Sequence, residues 1–153
     1  MMTEEMSVKK ALYQKCEEYV NERLANIRAA ISSAQESAND DSKSSAGDKH
    51  ETGRAMAQLE QEKLSGQLAE NQKLQQALST LHPERTSAFI SPGSLVITDK
   101  GNYYISISAG KLVLDGETYF AVSAASPIGK ELIASQGKNF SFNGLNYSVK
   151  KVL

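Results

Sequence analysis

The chain has 153 residues, with 17 Lys and Arg against 18 Asp and Glu, two His, a single Cys, three Pro and no Trp. That length holds one or two domains, too few residues for a large α/β enzyme, and a formal charge of −1 argues against a generic polyanion binder. The lone Cys16 excludes an intrachain disulfide and a multi-cysteine metal site, the polar stretch 1–10 lacks the apolar centre of a signal peptide, and no run approaches the ~18–20 apolar residues that span a bilayer.

Composition divides along the chain. Residues 1–86 carry 11 basic and 14 acidic side chains, and the remainder carries 6 and 4. Seven of the ten Gly and eight of the ten aromatic residues follow Thr86, and no aromatic lies between Tyr19 and Phe89. A stretch that long without aromatics reads as a thin helical rod, followed by a compact, turn-rich unit. Leu12, Cys16, Val20, Leu24, Ile27, Ile31 and Ala34 step by four or three residues, the stripe of one helix face. With no Gly or Pro before Gly47, they predict a helix over about 6–37, then a loop over 38–47. A second helix is expected over about 48–81, closed by His82-Pro83. Its stripe of Met56, Leu59, Leu64, Leu68, Leu74, Leu78 and Leu81 is diluted by glutamines and by Gly66. Two such helices predict an antiparallel coiled coil over 1–82, its tip near 38–52.

After a linker over 83–91, a small β-rich domain is expected over 92–153. Strands are predicted at 95–97, 103–107, 111–114 and 118–122, with Asp115-Gly116 a strong hairpin signal. A short helix is expected over 127–133. Residues 139–142, the Asn143-Gly144 turn and 147–152 are expected to form a closing hairpin. The fold class is α+β.

There is no Gly-rich phosphate loop, no His-x-x-x-His pair and no nucleophile elbow. Cys16 falls on the apolar face of the first helix and reads as a core residue. The segment Gly47-Asp48-Lys49-His50-Glu51 carries the chemistry that is present. Asp48 and Glu51, spaced i,i+3, can project from one side of a helix start and share a hard cation such as Mg²⁺. The same spacing is a capping box, with Asp48 as N-cap and Glu51 at N3, and acids in a first turn are favoured by the helix dipole. Spacing alone leaves both readings open. His50, between them, reads as a passive loop residue, and Arg23, Arg28, Arg54 and Lys63 as ordinary surface charges on the coil.

An antiparallel coiled coil with Gly-Asp-x-x-Glu at its tip, followed by a small β domain, resembles the bacterial GreA/GreB transcript-cleavage factors. Ser126-Pro-Ile-Gly-Lys-Glu-Leu132 is similar to that family's Ser-Pro-Leu-Gly-x-x-Leu segment. The resemblance covers nearly the whole chain. It implies an FKBP-like C-terminal domain and a cytoplasmic, monomeric factor that docks on the RNA polymerase core through its secondary channel, without a membrane. It also implies that the tip meets the nascent RNA 3′ end. There Asp48 and Glu51 would assist catalysis in trans by holding Mg²⁺ shared with the polymerase, while Ser126, Pro127, Ile128 and Gly129 would contact it. The chain would then stimulate the polymerase's own nuclease rather than be an enzyme itself. It departs from the family after Glu51, where Thr52-Gly-Arg-Ala-Met56 replaces the usual Asn-Ala-Glu-Tyr and no aromatic follows. Two other functions stay in view: a channel-binding regulator without cleavage, and a coiled-coil adaptor unrelated to transcription.

Overall fold

A computed structural model describes residues 4–42 and 47–153, with side chains described except at 38, 40–42 and 47–51. The chain is α+β: a hairpin of two long helices, α1 (Glu4–Ser42) and α2 (Gly47–Ser79), precedes the β-rich part. The first helix runs past the expected loop start, through Asn39-Asp-Asp-Ser42. Polar residues alone do not end a helix, and nothing between them and Gly47 supplies a breaker. The rest of the expected loop, 43–46, lies outside the described residues.

Two compact units form, Met1–Tyr19 with Gln76–Leu153, and Val20–Gln75. The second unit holds the arms of the hairpin. Val20, Leu24 and Ile27 are buried on α1 and Leu64 on α2, as the periodicity requires. Met56 and Leu59 are instead exposed, each at 66 %. The inward face of α2 runs through Gly53, Ala57, Gln61, Leu64, Leu68 and Asn71, all buried or half-buried, so the two larger side chains fall outside it. Asn71 is the unexpected seam residue, 2 % exposed. Its amide donates to the Gln67 carbonyl at 2.8 Å and its Oδ1 accepts from Arg23 Nε at 2.9 Å. That cross-helix bond joins residues far apart in sequence, as an antiparallel hairpin demands, and a polar residue satisfied in one register disfavours slipped ones.

The first unit is built on a five-stranded sheet of order β3-β4-β2-β1-β7. Its strands are β1 (Leu95–Thr98), β2 (Gly101–Ser106), β3 (Gly110–Leu114), β4 (Glu117–Ser123) and β7 (Val149–Val152), with α3 (Pro127–Ser135) after β4. All neighbours are antiparallel except β2 and β4. The chain leaves β2 for the outer edge at β3, and the β3–β4 hairpin returns β4 into the gap, parallel to β2. Asp115 and Gly116 make that hairpin with φ of 50° and 81°, the doubly positive turn the Asp-Gly pair favours. Ile90, Val96, Ile105 and Leu132 form the core between sheet and α3, with Ile128, Ile133 and Phe140 packed around them. Each such side chain contributes roughly 2 kcal/mol of apolar burial.

The closing hairpin is shorter than expected. β5 (Phe140–Phe142) pairs only with β6 (Leu145–Tyr147) in a separate two-stranded sheet, while Val149–Val152 crosses to β1. Asp99, in the turn after β1, enforces the split. Its carboxylate accepts the Ser148 N–H at 2.8 Å and its own N–H donates to the Ser148 carbonyl at 3.1 Å. The Ser148 amide also holds the Asp99 carboxyl below its ordinary pKa.

Residues expected to be linker are pinned as well. Ile90 is 2 % exposed, and its backbone N–H and carbonyl both bond the Gln136 side chain, at 3.1 and 2.9 Å. Gln136 itself sits left-handed at φ 45° as the cap of α3, a conformation that costs a non-glycine about 1 kcal/mol and is offset by those bonds.

The first turns of α1 pack with this unit. Leu12 and Cys16 are fully buried, and Cys16 Sγ lies 3.7 Å from Ser106 Oγ on β2. Burial pushes the thiol pKa up, which suits a core residue and not a nucleophile. Nearby, the fully buried Tyr104 hydroxyl has no hydrogen-bond partner among the described residues. Burial raises its pKa, with a contribution from Cys16 and Tyr13, and burial with Tyr147 beside it raises that of Tyr103 to about 12. A raised phenol pKa means that stability is complete below the unfolded value near 10 and falls as pH climbs through the folded value. Tyr104→Phe is therefore expected to be neutral or stabilising at pH 7, by up to about 1 kcal/mol. The double variant Tyr103→Phe/Tyr104→Phe should unfold with a midpoint that declines less than the wild type's between pH 10 and 12, as measured in urea titrations.

Candidate functional site

α2 begins at Gly47, so Asp48 lies within its first turn and not at the N-cap position of a capping box. Glu51 is one turn on. At 100° per residue, positions three apart are about 60° from each other around a helix axis, so 48 and 51 share one side. The positive end of the α2 dipole favours acidic residues there. His50 stands between them in the helix rather than in a loop. The side chains of 48–51 are not among those described, so the pair is placed by backbone position.

Two hard oxygen donors fit part of a Mg²⁺ shell, since that ion keeps several waters and is commonly held by one or two carboxylates with the remainder supplied elsewhere. Among the described residues no group of three or more His, Cys, Asp or Glu could hold a metal ion. The stretch of α2 beyond the pair turns small residues inward. Gly53 and Ala57 are half-buried, Arg54 and Met56 are exposed, and no aromatic occurs there. Arg28, Arg54 and Lys63 are exposed, whereas Arg23 is engaged with Asn71.

The other predicted contact segment, 126–129, is used by the fold. Ser126 is the N-cap of α3: its Oγ accepts the Gly129 N–H at 3.1 Å and donates to the Ser123 carbonyl at 2.6 Å. Pro127 fills the first helical position, where its missing N–H costs nothing. Ile128 packs against the core. Gly129 is buried so close to β4 that a Cβ would stand 2.1 Å from the Ser123 carbonyl oxygen. Folding thus accounts for each residue type in this segment, and only Pro127 is solvent-exposed. Asn71 escaped the sequence reading because polar residues are discounted in an apolar stripe. Its even spacing of seven between Leu64 and Leu78 is the signal that marks it.

No helix among the described residues is long and apolar enough to cross a membrane. No family model, curated protein or solved structure matches the chain.

Proposed function

We propose that this chain is a Gre-like factor that enters the secondary channel of RNA polymerase and stimulates cleavage of backtracked nascent RNA. The observation that carries the reading is the position of Asp48 and Glu51, one turn apart at the start of the second helix of a two-helix hairpin. A hairpin of small and polar residues near its turn suits a narrow channel. Two carboxylates on one side of a helix start suit a cation only partly coordinated elsewhere.

In this reading Asp48 and Glu51 are the Mg²⁺ residues, and the polymerase contributes the rest of the shell. The bound ion would supply Lewis-acid stabilisation of the phosphoryl oxygen and a more acidic water. The chain's part is to deliver and orient the carboxylates and to position that water. In this reading the chain stimulates the polymerase's own nuclease rather than acting as an enzyme itself. The β-rich unit takes the FKBP-like role of docking at the channel mouth, with Pro127 the member of the 126–129 segment available to a partner. Cytoplasmic location and a monomeric state belong to the same proposal.

The test is addition of the full chain to stalled, backtracked complexes of the cognate polymerase in Mg²⁺. Shortened RNA 5′ fragments and released 3′ ends are expected. If the chain competes with an authentic cleavage factor but yields no new RNA ends, it is a channel-binding regulator. If it neither competes nor cleaves, the polymerase assignment fails and the coiled-coil adaptor reading stands.

A further inference from the structure

The segment that leads from α2 to β1 borders a cleft of ≈ 220 Å³ in the β-rich unit. Lys9 of α1 reaches it, along with His82, Arg85, Thr86, Ser87 and Ser91, and no acidic side chain lines it among the described residues. Lys9 is the unusual member, at 2 % exposure. Its ammonium donates to the Arg85 carbonyl at 2.6 Å and to the Leu153 main-chain oxygen at 3.3 Å. An ammonium has a third N–H to give beyond these two bonds. Burial lowers the Lys9 pKa, with Glu84 partly opposing it. Arg85 is exposed and makes no ion pair among the described residues, and the neighbouring Glu84 lies 3.6 Å from His82.

Hydroxyls complete the lining. Ser87 Oγ accepts the Phe89 N–H at 3.1 Å and keeps its own proton to donate, and Thr86 and Ser91 have no side-chain bond among the described residues. Two cations and three O–H donors around a small concavity match a dianionic oxyanion, which has acceptors only. A second cleft, of ≈ 360 Å³, shares Thr86 and Ser87 and is lined further by Glu5, Ala88, Lys151 and Leu153. Its mixed charge, with Glu5 and Lys151 paired to each other, suits the neutral or zwitterionic body of a ligand whose anionic end lies next door.

We propose that the first cleft binds the phosphate group of a small phosphate ester through Lys9 and Arg85, and that the second takes the body of the ester. A concavity of this volume holds one phosphate and a few waters, whereas a nucleic-acid backbone is tracked by an extended basic groove. The site stands or falls independently of polymerase docking.

The experiment is a titration of the full chain with inorganic phosphate and with phenyl phosphate, against chloride at matched ionic strength. Amide shifts at Thr86 and Ser87 and the thermal midpoint are followed. Saturable shifts at these amides and a rising midpoint are expected, with phenyl phosphate binding more tightly than phosphate. Arg85→Gln, at an exposed side chain, should leave the ligand-free midpoint in place and weaken phosphate binding about tenfold. Lys9→Met removes structural bonds as well, so Thr86→Val serves as the second variant and should weaken binding severalfold. Absence of saturation up to about 50 mM phosphate, or equal affinity in wild type and Arg85→Gln, overturns the proposal. So does a single-stranded RNA that binds more tightly than phenyl phosphate and shifts the same amides.

Discussion

Stimulated RNA cleavage should fall about a hundredfold when Asp48→Asn and Glu51→Gln are combined, an equivalent of about 3 kcal/mol of barrier. The substitutions keep size and one acceptor oxygen each while deleting both charges, so they remove attraction for a cation at little cost to the shape of the helix start. Their cost to folding is small: loss of favourable acid–dipole interactions at the start of α2 is worth roughly 0.3–1 kcal/mol each. Binding to the polymerase core, measured by competition with an authentic cleavage factor, should stay within a few fold of wild type. The single variants should each retain part of the stimulation, because one carboxylate still contributes one oxygen donor. Raising Mg²⁺ should partly rescue the single variants and not the double one. Undiminished cleavage by the double variant would remove these residues from the chemistry, whatever the hairpin does in the channel.

The α+β layout and the strand order along the chain were legible because each rests on local signals. The α1 stripe from Leu12 to Ile27 has helical period, and Asp115-Gly116 and Asn143-Gly144 both adopt the doubly positive turn their chemistry favours. What was hidden depends on partners distant in sequence. Nothing local says that Val149–Val152 leaves its hairpin neighbour, because the cause is Asp99, 49 residues from Ser148. Nothing local marks Ile90 as core, because the side chain that clamps it is Gln136. The packing of Leu12 and Cys16 with the β-rich unit is hidden for the same reason: a continuous stripe does not say that its partner changes from α2 to a sheet. The candidate site was legible as residue types and spacing. That Asp48 is itself helical, one residue inside the start of α2, needed the structure.

The same chemical change, Gly to Ala, should act in opposite directions at two positions. At Gly66, in the middle of α2, an added Cβ meets nothing within 4 Å. There Ala restores helix propensity and reduces the freedom of the unfolded chain, a gain of about 1 kcal/mol. At Gly129 the backbone has no positive φ, so an alanine faces no conformational penalty. The obstacle is space. Its Cβ would lie 2.1 Å from the Ser123 carbonyl oxygen and 2.9 Å from Ser126 Oγ. The first atom is main chain at the end of β4, and it accepts both the Ser126 N–H and the Ser126 hydroxyl, so it cannot swing aside as a flexible side chain would. Relief requires α3 to lift from the sheet, which loosens Leu132 and Ile128 in the core and stretches the cap that sets the helix in place. Overpacking of this kind costs about 3 kcal/mol. Urea unfolding should therefore show a lower midpoint for Gly129→Ala at an unchanged slope, and a higher midpoint for Gly66→Ala. A Gly129→Ala variant as stable as wild type would mean that α3 does not approach β4 this closely. Ser-Pro-Ile-Gly would then need a reason outside the fold, and contact with a partner would become the leading one.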